Sequence, residues 1–96
     1  MTFNEYSVKA ATTAKYHGLN YNSVGFGGEA GEYLNEYKKF LRREHLPPPN
    51  DPIYERLLLE LGDTLWYMAR IAEDLGSSLE EIATMNIDKL RTRHSK

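Results

Sequence analysis

The stretch from Asp51 to Gly76 constrains the fold of this chain more than any other. Asp51 is a good helix N-cap, Pro52 suits the first helical position, and Gly76 follows the last apolar residue, Leu75. Between them Ile53, Leu57, Leu58, Leu61, Leu65, Met68, Ala69 and Ala72 recur at spacings of three and four, with Trp66 flanking them. That period predicts one long amphipathic helix. No segment alternates polar and apolar residues for long, so strands are not expected beside it. The rest of the chain reads as three further helices. A capping box, Thr2-Phe3-Asn4-Glu5, opens the first, which runs to about Tyr16 and is ended by His17-Gly18. The residues Leu19 to Gly28 hold Asn20, Asn22, Gly25, Gly27 and Gly28 and read as a loop. A second helix then covers roughly Gly28 to Glu44 and stops before Pro47-Pro48-Pro49. A second capping box, Ser78-Leu79-Glu80-Glu81, opens the last helix, which continues to about Arg93.

The expected fold is therefore all-α, a four-helix bundle in one domain spanning residues 1–96. A chain of 96 residues buries a smaller share of its surface than a larger domain, so completion by oligomerisation is expected. The formal charge of −2 argues against a protein built to grip nucleic acid, which calls for a basic face. The absence of cysteine excludes disulfides and thiolate metal sites. No apolar run approaches the ~20 residues of a membrane span, and the start MTFNEYSVK lacks a signal-peptide core. A soluble cytoplasmic protein with no membrane partner is the expectation.

Chemistry enters through two acidic pairs, Glu29 and Glu32 in GGEAGE and Glu60 and Asp63 in ELGD. Residues three apart on a helix share a face, with Cβ atoms roughly 5–6 Å apart. Two such helices packed together bring four carboxylates to one place. Oxygen-rich clusters of that kind suit hard cations such as Mg²⁺, which often share their ligands with phosphates. The stripe continues as Glu36, Lys39 and Arg43 on helix two, and as Arg56, Glu60, Asp63, Tyr67 and Arg70 on helix three. Acids leading and cations following also suit the helix dipole, so a plain solvated face accounts for part of the order. Glu60 and Asp63 interrupt a strongly apolar helix, however, and Gly28, Gly31 and Gly62 border the acids although glycine weakens a helix interior by up to ~1 kcal/mol. On helix four the apolar steps Leu79, Ile82 and Ala83 are followed by Asn86, then Leu90, with Lys89 and Arg93 at related spacings. One reading is a buried amide with two snorkelling cations. The other is a hydrogen-bond donor and two cations that meet phosphate oxygens.

Taken together, the runs GFGGEAGEYLNEYKK, ELGDTLWYMARIAEDLGSSLEEIA and NIDKLRTRH resemble the MazG-like nucleotide pyrophosphohydrolases. The signature of that family is E-x-x-E, a spacer, E-x-x-D, then N-x-x-K with a nearby arginine. Glu29 and Glu32 match the first pair, Glu60 and Asp63 the second, and Asn86, Lys89 and Arg93 the third element. TFNEYSVKAATTAKY also looks like the first helix of small single-domain members, so the resemblance covers nearly the whole chain. It implies Mg²⁺ held by the acidic pairs, with Mn²⁺ as a substitute. It also implies hydrolysis of a nucleoside triphosphate to the monophosphate and pyrophosphate, a role in clearing unwanted nucleotides, and homodimers or homotetramers with sites completed across subunits.

In such a mechanism the metal activates a water for in-line attack at the α-phosphorus. Glu29, Glu32 and Glu36 are the candidates for taking its proton. Lys39, Lys89 and Arg93 would neutralise the pyrophosphate, Asn86 would hold a phosphate or sugar oxygen, and Tyr67 leads Trp66 and Tyr21 as a stacking partner for the base. Two rivals come from other classes. A di-iron bundle wants Glu-x-x-His, but Ala14, Arg42 and Arg91 stand three positions before His17, His45 and His94. A non-catalytic helical module that binds nucleotides or dimerises shares every packing feature and differs in lacking turnover.

Overall fold

A computed structural model describes residues 1–94 and contains four α-helices: α1 (Phe3–Thr12), α2 (Leu19–Leu41), α3 (Pro52–Asp74) and α4 (Leu79–His94). No strand occurs among the described residues. The all-α four-helix reading is correct, and several caps form as the sequence implies. Thr2 Oγ accepts from the Glu5 amide while the Glu5 carboxylate accepts from the Thr2 amide, both at 3.1 Å. Asp51 Oδ1 accepts from the Ile53 amide at 2.9 Å. At the other end of α3, Gly76 takes φ 72°, and Ser77 and Gly76 donate back to the carbonyls of Ala72 and Glu73. That paired closure needs a residue in the left-handed region, where glycine carries no Cβ penalty. Ser78 Oγ accepts from the Glu81 amide, but the Glu81 carboxylate accepts from Ser77 Oγ, so the expected box at α4 is one-sided.

Three boundaries differ from the sequence reading, the least of them the end of α2 at Leu41, short of Glu44. The first helix stops at Thr12, short of Tyr16. Thr12 and Thr13 donate their hydroxyls to the carbonyls of Lys9 and Ala10 at 2.6 and 2.8 Å, and such local bonds compete with continued helix. The largest correction is Leu19–Gly28, which is helix and not loop. Packing against α3 overrides its asparagines and glycines. Asn22 is wholly buried and donates Nδ2 to Asp74 Oδ2 at 2.8 Å. Gly25 lies against the Tyr67 ring, where an added Cβ would collide with the ring carbons.

The α2 and α3 helices form an antiparallel pair. Contacts climb one helix as they descend the other: Asn22 meets Asp74, Gly25 meets Tyr67, Glu36 meets Arg56 and Phe40 meets Tyr54. The connection holds its shape through the Tyr54 hydroxyl, which donates to the Pro47 carbonyl at 2.6 Å, and through an Arg43–Asp51 ion pair at 3.1 Å. The α1 helix packs on α3, where Trp66 Nε1 donates to Thr13 Oγ at 2.8 Å, and α4 packs on α1 and α3. No helix among the described residues is long and apolar enough to cross a membrane.

The apolar stripe of α3 is covered along only part of its length. Ala69 and Ala72 are buried, whereas Leu58 is 67% and Leu61 46% exposed. Accessible surface totals 7295 Å²; a folded monomer of this size exposes about 5,700 Å². The radius of gyration is 16.2 Å, against about 12.5 Å for a compact chain of this length.

Candidate functional site

Antiparallel pairing brings the two acidic motifs together. Glu29 on α2 and Glu60 and Asp63 on α3 offer carboxylate oxygens that all lie within 4.8 Å of one another. Glu29 and Glu60 are half-buried and Asp63 is exposed. None of the ion pairs among the described residues involves these three acids. Burial pushes the Glu29 carboxyl above its usual range, and the charges of Asp63, Glu60 and Glu32 push it in the same direction. Like charges this close repel by about 4 kcal/mol at an effective dielectric near 20, which a bound cation would relieve. The donor set is all oxygen, the type that hard divalent cations take.

The fourth expected ligand, Glu32, stands apart from the convergent set. It is exposed on the next turn of α2, near enough to raise Glu29 through its charge. Glu36 is in a different electrostatic position. Its Oε1 accepts from Lys39 Nζ at 3.0 Å and Arg56 Nε lies 3.3 Å from its Oε2. The Lys39 hydrogen bond, with both cations' charge, holds the Glu36 carboxyl below its usual range. Unlike Glu29, Glu36 therefore has its counter-charge supplied by the chain, and the pairing ties Lys39 to this face.

Aromatic side chains cluster on the side of the acids toward the start of α2. Tyr67 is half-buried, and its ring centroid is 4.9 Å from that of Trp66 and 6.5 Å from that of Tyr21. Its hydroxyl is held above the usual range by burial, by the Tyr21 hydroxyl, and by the charges of Glu29 and Asp63. Tyr16 lies 5.2 Å beyond Tyr21, and both rings are exposed. Tyr6 on α1 also borders the acids, its hydroxyl pushed up by burial and by Asp63. Neither Tyr6 nor Tyr16 was legible as a site residue. Tyr6 precedes buried Ala10 by one helical turn, a signal that places it on the inner face of α1 without linking it to the acids.

Among the described residues no hydrogen bond or ion pair joins Asn86, Lys89 or Arg93 to the acids. The α4 helix packs on α1 and α3 and makes no packing contact with α2 among the described residues. Asn86 is not a core position, as the apolar spacing suggested; it is exposed beside an open groove of about 270 Å³ lined by Phe3, Leu65, Met68, Leu79 and Ile82. Lys89 and Arg93 are exposed as well. The stripe that put Asn86 inside is amphipathic, but too little of the chain covers it.

The chain is similar to the Gene 37 protein of Mycobacterium phage L5, at 34% identity over 102 residues that cover 95% of this chain and 87% of the phage protein. No family model matches the sequence. No solved structure matches the fold.

Proposed function

We propose, for a chain that belongs to the family of the Gene 37 protein of Mycobacterium phage L5, a divalent-cation-dependent hydrolysis of nucleoside triphosphates to the monophosphate and pyrophosphate. That relative is named by a gene number alone, so the reading rests on the site. The observation that carries it is the meeting of Glu29, Glu60 and Asp63 from two helices, with no lysine or arginine among the described residues paired to them. The MazG-like resemblance supplies the reaction class.

Glu29, Glu60 and Asp63 would hold Mg²⁺ or Mn²⁺. When bound, such an ion supplies charge neutralisation at the phosphates and lowers the pKa of a water. The chain's own residues do the rest. Glu32, outside the convergent set but on the adjoining turn, would take a proton from the attacking water. Lys39 offers positive charge to the polyphosphate, and its ion pair with Glu36 keeps it on this face. Water adds to the α-phosphorus, the bond to the bridging oxygen breaks, and pyrophosphate departs.

The active form would be a homodimer or homotetramer. One chain exposes about 1,600 Å² more than a compact monomer of its size, about twice what one partner gives up in a standard interface. Leu58, Leu61 and Met68 form part of that surface. The exposed Asn86, Lys89 and Arg93 would then serve a site on a neighbouring copy.

Pyrophosphate release from a panel of ribo- and deoxynucleoside triphosphates, with Mg²⁺ and with chelator, tests the reaction. The expected result is metal-dependent release with a monophosphate product. Folded protein that binds nucleotide yet releases nothing would point to the non-catalytic module instead.

A further inference from the structure

One face of α2 carries three chemically different zones in sequence. Tyr21, Gly25, Gly28, Glu32, Glu36 and Lys39 follow at spacings of three and four and therefore share a side of the helix. Tyr21 heads an aromatic run that reaches outward to Tyr16 and inward to Tyr67, itself close enough to Glu29 and Asp63 to feel their charge. At the other end stand Lys39 and Arg56, both held by Glu36, with their side chains 54% and 49% exposed. The acids lie between. At 1.5 Å per residue Tyr21 sits about 12 Å before Glu29 along the axis, and Glu36 about 10 Å after it.

Gly28 completes the picture. It lies between Tyr21 and the acids, and a Cβ built there meets nothing within 4 Å. Glycine in mid-helix costs up to ~1 kcal/mol, and here no neighbour in the chain requires it. The helix surface is bare where a ligand bridging the aromatic and acidic zones would lie. By contrast Gly25 is accounted for by the Tyr67 ring.

We propose that the site binds its nucleotide in one polarity along this face: the base on Tyr21 and Tyr16, the sugar over Gly28, and the polyphosphate running from the acids toward Lys39 and Arg56. The inference rests on the nucleotide reading above and adds a direction and three residues to it. Flat exposed rings suit any nucleobase, because every base has a stacking face. Glu36 acts here as a positioning residue: it aims Arg56, whose guanidinium keeps further N–H groups for phosphate oxygens. Tyr67 lies behind Tyr21 as a support, which revises its expected role as the stacking surface.

Isothermal titration of the full chain with α,β-methylene analogues of deoxynucleoside triphosphates, which the proposed reaction does not cleave, and, separately, with inorganic triphosphate, both with Mg²⁺, tests the polarity. Tyr21→Leu and Gly28→Leu should weaken nucleotide binding by about tenfold while leaving inorganic triphosphate little changed. Position 28 is open to an added Cβ, and an unchanged far-ultraviolet helical signal and melting temperature in Gly28→Leu separate occupancy of the face from damage to the fold. Arg56→Gln should weaken both ligands by about tenfold, with partial rescue in Arg56→Lys. Equal losses for both ligands in Tyr21→Leu, or a nucleotide-only loss in Arg56→Gln, would overturn the polarity. Wild-type protein that binds neither ligand would overturn the nucleotide reading itself, so the two failures are distinct.

Discussion

Glu29 and Glu36 sit two turns apart on one helix, facing one partner helix, and their environments are opposite. Glu36 has two cations within 3.3 Å and is held ionised. Glu29 has Glu60 and Asp63 instead, and is pushed toward its protonated form. The difference comes from two turns of α3, where Arg56 stands opposite Glu36 and Glu60 with Asp63 opposite Glu29. A carboxylate whose counter-charge is supplied by the chain is a structural element. One surrounded by other carboxylates is complete only with something from solution, a proton or a metal ion.

The largest effect should come from removing an acid that the chain leaves unpaired. Glu60→Ala is expected to lower turnover by about 100-fold or more while leaving the far-ultraviolet helical signal unchanged. Full activity in that variant would take Glu60 out of the mechanism and leave the acidic convergence as a surface accident. Glu36→Gln should cost less, about tenfold, appearing in KM for the nucleotide because it releases Arg56 and Lys39 without removing a ligand. A shift in the Mg²⁺ concentration needed for half activity would instead place Glu36 among the ligands.

The two carboxyls should also give stability opposite dependence on pH. The ordinary glutamate value is 4.5. Glu29 binds its proton more tightly when folded, so its contribution is complete below that value and is lost as pH rises through the raised folded value. Glu36 is depressed, so its contribution is present above 4.5 and is lost as pH falls through the lowered value. Melting curves across this range in chelator should show Glu29→Gln flattening the loss on the alkaline side and Glu36→Gln flattening the loss on the acid side. Added Mg²⁺ should raise the melting temperature of the wild type above pH 4.5 and do less for Glu29→Gln. Parallel behaviour of the two variants would erase the distinction between the sites.

Helix existence was legible where pattern and caps agreed, as at Asp51, Pro52 and Gly76. It failed at Leu19–Gly28 because Asn22 and Gly25 read locally as breakers, and only α3 shows why they are helical: one meets Asp74 and the other admits Tyr67. Three of the four expected acids converge, and that each acidic pair shares a helix face followed from spacing alone. The fate of Glu36 did not, because the cross-helix position of Arg56 depends on the register between α2 and α3, which no single-helix pattern fixes. Asn86 failed for a further reason. Its spacing marks an apolar side of α4, but spacing does not say whether the chain itself covers that side.

That last point separates two glycines and gives the smallest effect. Gly25 is filled from within the chain by Tyr67, whereas Gly62 lies one turn from exposed Leu58 and half-buried Leu65 with nothing near its absent Cβ. In an isolated chain, Gly62→Ala removes a helix-weakening residue from an open face and should stabilise by up to ~1 kcal/mol. If a second copy packs its helix against this face, the added methyl meets that copy and forces the helices apart. Sedimentation and melting at two protein concentrations separate the cases. The oligomer proposed here requires weaker self-association and a lower melting temperature in Gly62→Ala at the lower concentration. A higher melting temperature with unchanged sedimentation would remove this face of α3 from any interface, leaving the exposed leucines without an explanation and the α4 cations without a neighbouring site to serve.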